Sequence, residues 1–201
     1  MKIYDSDIRR ILYDSFLLEK DYIEEPDTVI INELDVCAGV SRIDIAVVNG
    51  RMHGYEIKSK QDNLERLPSQ IESYNRVFDT MTIVTYKSHL EKIKILVPKW
   101  WGIKCIDEKN GDVILKNIRK PKKNRNINIQ NVAMLLWKDE MINLLLNYSH
   151  ITEGYRSKTR NDLSYMIQKY IDKNIVQEYV RNVLKSRTNW KAVPLVARND
   201  D

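Results

Sequence analysis

Arg42–Lys58 reads RIDIAVVNGRMHGYEIK, and its reading decides the fold. Ile43, Ile45 and Val47 alternate with Asp44 and Ala46, the period-two signature of a half-buried strand. Asn49-Gly50 is a strong hairpin signal, so Met52–Ser59 returns as the next strand. Glu56 and Lys58 are two apart and stand on the same face of that strand. The register then matters. A two-residue turn at Asn49-Gly50 sets Asp44 opposite Tyr55 and turns it away from Glu56. A three-residue loop brings Asp44, Glu56 and Lys58 to one face and sets Ile43, Ile45, Val47, Tyr55 and Ile57 on the other as core. The hydrophobic pattern selects the odd loop.

Working outward, Asp7–Leu18 carries Ile8, Ile11, Leu12 and Leu18 at helical spacing, and Thr28–Val36 is a β-branched strand containing Glu33. Pro68 suits the first turn of a helix reaching about Phe78, with Leu67, Ile71, Tyr74 and Phe78 on its inner stripe. Thr80–Thr85 reads as a fourth strand, Ser88–Lys92 as a short helix and Ile93–Val97 as a fifth strand. Ile103–Ile106 and Val113–Leu115 flank a turn-rich segment. The order marks an α/β layered domain over residues 1–118. A basic linker, 119–130, leads to a helical extension over 131–191 with helices at Val132–Leu146, Leu163–Tyr170 and Ile175–Leu184, then a tail at 192–201. The last two helices are either a packed pair or a DNA-reading helix-turn-helix.

Two carboxylates and an ammonium on one face suit phosphodiester hydrolysis, in which a hard cation such as Mg²⁺ needs only one or two carboxylates. Asp44 and Glu56 are the expected ligands, with the Ile57 carbonyl as a third and Glu33 as a further acid from the neighbouring strand. Lys58 is placed to orient the attacking water and offset charge on the phosphate. Gln70 and Tyr74, four apart on one helix face, reach toward the metal-bound water or a phosphate. The bland alternative for Glu56 and Lys58 is a solvated cross-strand ion pair.

This order of residues resembles the PD-(D/E)xK nuclease superfamily, the restriction-endonuclease-like fold. Asp44 stands where its first acid falls, Glu56-Ile57-Lys58 forms its E-x-K, and Gln70 to Tyr74 its Q-x-x-x-Y. More narrowly, GYEIKSKQDNLERLPSQIESYNRVFD at 54–79, followed by Trp100-Trp101-Gly102, resembles a small, largely uncharacterised family of bacterial and phage-associated proteins assigned to that superfamily. Ile43 replaces the superfamily's proline. The resemblance implies a three-layer α/β/α core with a mixed central sheet and cleavage dependent on Mg²⁺ or Mn²⁺. DNA is the expected partner, with RNA the alternative. Because the superfamily includes inactive members, a binding module without catalysis is the rival reading.

Of 33 basic residues, Arg119, Lys120, Lys122, Lys123 and Arg125 fall in a seven-residue stretch without an acid; the other 28 balance the 28 acidic ones. The net charge of +5 therefore sits in one segment, suited either to contacting phosphates or to a solvated linker. No apolar run approaches the roughly 20 residues of a membrane span. The charged N-terminus lacks the apolar core of a secretion signal, and two distant cysteines suit a reducing, cytoplasmic setting. Monomer and homodimer are both compatible. Scattered histidines and the lack of a G-x-x-x-x-G-K-[ST] loop argue against a zinc site and ATP hydrolysis. Trp100-Trp101 reads as core or rim packing, or as a stacking platform for bases.

Overall fold

The chain forms an α/β structure, described by a computed structural model over residues 5–109, 112–150, 153–188 and 190–195. Eight α-helices surround a seven-stranded mixed sheet among these residues. The strands are β1 Val29–Val36, β2 Ser41–Val48, β3 Met52–Lys58, β4 Thr80–Tyr86, β5 Gly102–Lys109, β6 Asp112–Arg119 and β7 Ala192–Pro194. Their order across the sheet is β6-β5-β4-β3-β2-β1-β7, with β3, β4 and β5 parallel and the other pairs antiparallel.

The β2–β3 hairpin has the odd loop. Val48 pairs with Met52, so residues 49–51 form the turn. Asn49 closes it, its side-chain oxygen accepting the Arg51 N–H at 3.0 Å. Ile45 pairs with Tyr55, which carries Asp44 level with Glu56 one step further on.

Helices cover both faces. On one, α1 (Asp5–Phe16) sets Ile8, Leu12 and Phe16 against Ile45, Val47, Tyr55 and Ile57, beside the short α2 (Lys20–Ile23). Each such fully buried side chain contributes roughly 1.5–3 kcal/mol. On the other lie α3 (Leu67–Asn75), α4 (Lys87–Leu96) and the C-terminal helices α5 (Ile129–Ala133), α6 (Lys138–Tyr148), α7 (Arg160–Tyr170) and α8 (Lys173–Ser186). Gly54 makes room for Phe78, beyond the end of α3, and for Met81 of β4, because a Cβ there would meet Met81 Sδ at 2.5 Å and the Phe78 ring at 3.1 Å.

Several expectations are corrected. Ile43 joins the α3 face instead of standing with Ile45 and Val47. The cause is Glu33, whose φ of 53° breaks the alternation of β1. Ile31 and Leu34, three apart, consequently face the same way, and Ile43 follows its partner Leu34. Ile93–Val97 is not a strand but the end of α4 and the residue beyond it. Leu90, Ile93 and Val97 pack inward at helical spacing while Ile95 is 84% exposed. The helix expected over Val132–Leu146 is two, because the chain turns at Met134–Trp137 and Glu140 caps the Trp137 N–H at 2.6 Å.

The division at residue 118 is not a break in the core either. Leu163, Ile167, Val176, Val180 and Leu184 share one apolar cluster with Ile31, Met81 and Ile83 of the sheet, so α7 and α8 are packed helices. Residues 119–130 are pinned to this body. Lys122 N donates to Trp100 O at 2.7 Å, and buried Asn124 donates to the Asp79, Asn75 and Phe78 carbonyls. Part of the expected tail is β7, which pairs with β1. No helix among the described residues is long and apolar enough to cross a membrane.

Candidate active site

The parallel step from β3 through α3 to β4 sets the candidate site at the C-terminal end of β3. Glu56 and Lys58 project from the last residues of the strand toward the first turns of α3. Lys58 Nζ donates to Glu56 Oε1 at 2.7 Å and to Gln70 Oε1 at 3.0 Å, and Gln70 Nε2 donates to Glu56 Oε1 at 2.8 Å. The Glu56 side chain is 3% exposed. Burial raises its proton affinity, opposed by Lys58, Tyr74 and Gln70.

Asp44 reaches the same place from β2. Beyond the Ile45–Tyr55 pair the two strands part, and Asp44 Oδ2 accepts the Ile57 N–H at 2.7 Å in place of a ladder carbonyl. The side chain thus ties the strand ends together. Its carboxyl is pushed up to about 7, first by burial and then by the negative charge of Glu56; the Ile57 N–H and Arg9 pull the other way. Two carboxylates sharing a water-poor site resist ionising together.

Glu33 lies level with Asp44 on β1, but both its oxygens are engaged by guanidinium groups. Arg9 Nη2 is 2.6 Å from Oε1 and Arg42 Nε is 2.9 Å from Oε2. Arg9 also contacts Asp44 Oδ1 at 3.3 Å and donates to the Asp44 carbonyl at 3.0 Å. The groups open onto a cleft of about 430 Å³ lined by Arg9, Glu33, Arg42, Asp44, Glu56, Ile57, Lys58, Asp62, Arg66 and Gln70, among others.

Residues 5–198 match the family described as Bacteriophage P4 protein cII. The chain belongs to that family. Protein cII of Enterobacteria phage P4 is 29% identical over 161 residues, covering 80% of this chain and 60% of that protein. This cII-family chain therefore matches somewhat over half the length of that relative. Among solved structures, a protein of unknown function from Silicibacter pomeroyi aligns with a TM-score of 0.36 at 17% identity, over 60% of this chain and 80% of that one.

In the cII-family chain, Asp44, Glu56, Lys58 and Gln70 come together as the sequence suggests, with Ile57 beside them. Tyr74 differs. It is fully buried and its ring stacks on Trp101 with centroids 6.2 Å apart, so it neither meets a base nor reaches a phosphate. Its hydroxyl lies 2.8 Å from both Glu56 Oε2 and the Arg42 carbonyl, and donates its one proton to either. Tyr74 is a positioning residue for Glu56. Trp101 is core, its indole N–H bonded to Asn75 at 2.9 Å.

The basic segment is elsewhere. Asn124 and Asn128 bond Asp79 and Arg76, beyond the far end of α3, so the segment flanks the end of the helix opposite Gln70. Arg119 spends its guanidinium on the Trp101 and Pro98 carbonyls at 2.6 and 2.9 Å, while Lys120, Lys122, Lys123 and Arg125 are exposed. Sequence reasoning missed the cations that do line the cleft: Arg9, Arg42 and Arg66. Arg9 left one trace, a basic residue beside Ile8 on the helix that covers the sheet.

Proposed function

We propose that this chain is a metal-dependent nuclease hydrolysing phosphodiester bonds in DNA, built on a restriction-endonuclease-like core. The observation that carries this reading is the convergence of Asp44, Glu56, Lys58 and Gln70 on one cleft. The donor set fits Mg²⁺ or Mn²⁺. No group of three or more His, Cys, Asp or Glu suited to a metal occurs among the described residues. Two carboxylates suffice, however, for a cation that keeps most of its waters. Asp44 and Glu56 would hold the ion, joined by the Ile57 carbonyl, and their mutual repulsion favours a cation between them. When bound, the ion supplies charge neutralisation at the phosphate and a more acidic water.

The chain's own groups do the rest. Lys58 offers its ammonium to the phosphate oxygens or the attacking water, held in aim by Gln70. Tyr74 fixes the second oxygen of Glu56, and Arg42 and Arg66 at the mouth of the cleft meet the flanking phosphates. A second reading, a nuclease-fold module that binds DNA or a protein without cutting, draws on Arg9. Its guanidinium already neutralises Glu33 and Asp44.

Purified protein incubated with linear, circular and single-stranded DNA, with Mg²⁺, Mn²⁺ or chelator, separates the two. The nuclease reading expects metal-dependent cutting that disappears in both Asp44→Ala and Lys58→Ala. Binding without cutting under every condition selects the module, and equal cutting by the variants refutes the site.

A further inference from the structure

A second cleft, of about 420 Å³, opens on the α2 side of the sheet at the N-terminal ends of β3 and β4. Its size is that of a small-molecule site. His53, Thr80, Thr82 and Lys104 line it from adjacent strands, α2 and the residue before it supply Asp21 and Glu19, and Arg51, Arg119 and Lys120 complete the lining with Asn117. Four cationic side chains thus face two acids: Arg51 pairs with Asp21 at 2.5 Å, Lys104 touches Glu19, and Arg119 and Lys120 have no acid opposite them in the lining.

The decisive residue is Lys104, only 7% exposed on β5, between β4 and the edge strand β6. Burying an ammonium is costly unless it is well paired. Its contact is Glu19 Oε1 at 3.3 Å, longer than the usual charge-assisted bond, and the Glu19 side chain is about half exposed. An ammonium carries three donors, so Lys104 is under-used. His53 lies in the same pocket. Its ring sits between Thr80 Oγ1 at 2.7 Å and Thr82 Oγ1 at 2.9 Å, and burial followed by the charges of Arg51 and Lys104 lowers it to about 3. The ring is therefore neutral, and the pocket retains positive charge that the protein does not offset.

We propose that this pocket binds a phosphate group, free or as a small phosphomonoester of nucleotide size, with Lys104 Nζ at its inner end and Lys120 at its mouth, beside the Arg51–Asp21 pair. The excess of two positive charges matches a phosphate dianion. The inference is independent of the nuclease reading, since the pocket lies on the other face of the sheet and shares no residue with the acidic cleft.

Calorimetric titration of the full chain with inorganic phosphate, a nucleoside 5′-monophosphate and the unphosphorylated nucleoside provides the test. Phosphate and nucleotide are expected to bind and the nucleoside not. Lys104→Met should weaken both by about tenfold or more, from loss of a buried charged hydrogen bond. Lys120→Gln should weaken them by about threefold, as befits an exposed contact. Phosphate binding well above that of the nucleotide assigns the pocket to the free ion; the reverse assigns it to the ester. Absence of binding at millimolar phosphate and nucleotide, unchanged affinity in Lys104→Met, or a nucleoside binding as tightly as its phosphate overturns the proposal. Should circular dichroism find Lys104→Met unfolded, the double variant Arg51→Gln/Lys120→Gln decides, and unchanged affinity there refutes it.

Discussion

The two ends of β3 host opposite electrostatics. At its C-terminal end Asp44 and Glu56 share a cleft, and at its N-terminal end His53 lies beside Lys104 and Arg51. The separation from His53 to Lys58 is only about 16 Å along an extended strand. Burial penalises charge at both ends alike, yet the groups differ in which neighbour adds to the penalty. Glu56 helps push Asp44 up to about 7, while Arg51 and Lys104 help pull His53 down to about 3. Burial favours the neutral form of both groups, and the neighbouring charges that add to it are acidic at one end and basic at the other.

The largest effect expected on this contrast is catalytic. Removing Lys58 or Asp44 by substitution to alanine should cut metal-dependent DNA cleavage by about 100-fold or more, within the range of positioned proton-transfer and charge-stabilising groups. Residual cleavage near the parent rate would erase the functional side of the contrast.

Stability against pH is the next way to break it, because the two ends act in opposite directions. Asp44 has a folded pKa above its ordinary 3.8, so the native state holds the proton longer than the unfolded chain. Its cost is absent below about 3.8 and complete above about 7, and stability falls as pH rises between them. His53 is lowered from 6.5, so the unfolded chain binds the proton first. Its cost is absent above 6.5 and complete below about 3, and stability rises with pH across that window. Each contribution is on the order of 1–4 kcal/mol. Urea unfolding from pH 4 to 8 should steepen upward in Asp44→Asn and turn downward in His53→Gln. Identical profiles for both variants would contradict the opposed fields.

A smaller loss attends Tyr74→Phe. Removing the hydroxyl from Glu56 Oε2 should cost about 1–2 kcal/mol of stability and weaken Mn²⁺ binding, with DNA affinity unchanged. Smallest is neutralisation of Lys122 and Lys123, which lie away from the cleft. A flatter dependence of DNA affinity on salt, with an unaltered cleavage rate at saturating DNA, would make that segment an auxiliary phosphate contact; an unaltered slope leaves it a structural strap.

The acidic cleft was largely legible in the sequence because it depends on local arithmetic. The spacing of Glu56 and Lys58, the i,i+4 pair Gln70 and Tyr74, and a hairpin whose apolar alternation demands a three-residue turn are all short-range. What was not legible depends on long-range or exceptional geometry. The left-handed backbone at Glu33, which no composition rule flags, sent Ile43 to the other face. Tyr74 sits four residues from Gln70 as expected, but its packing against Phe78 and the distant Trp101 decides that it is buried. Ile93–Val97 reads as a strand in isolation and packs as a helix because only Ile93 and Val97 find the core. The basic pocket gathers residues from α2, four strands and the segment after β6, a grouping that no sequence spacing announces.

The most direct test is to add Mn²⁺ to ¹⁵N-labelled protein and record which amide resonances its paramagnetism broadens. Broadening is expected to be strongest at Asp44, Ile57, Lys58 and Gln70 and to weaken with distance from them, with no loss in Asp44→Asn/Glu56→Gln. Broadening centred on any other part of the chain, or unchanged in that variant, would contradict it.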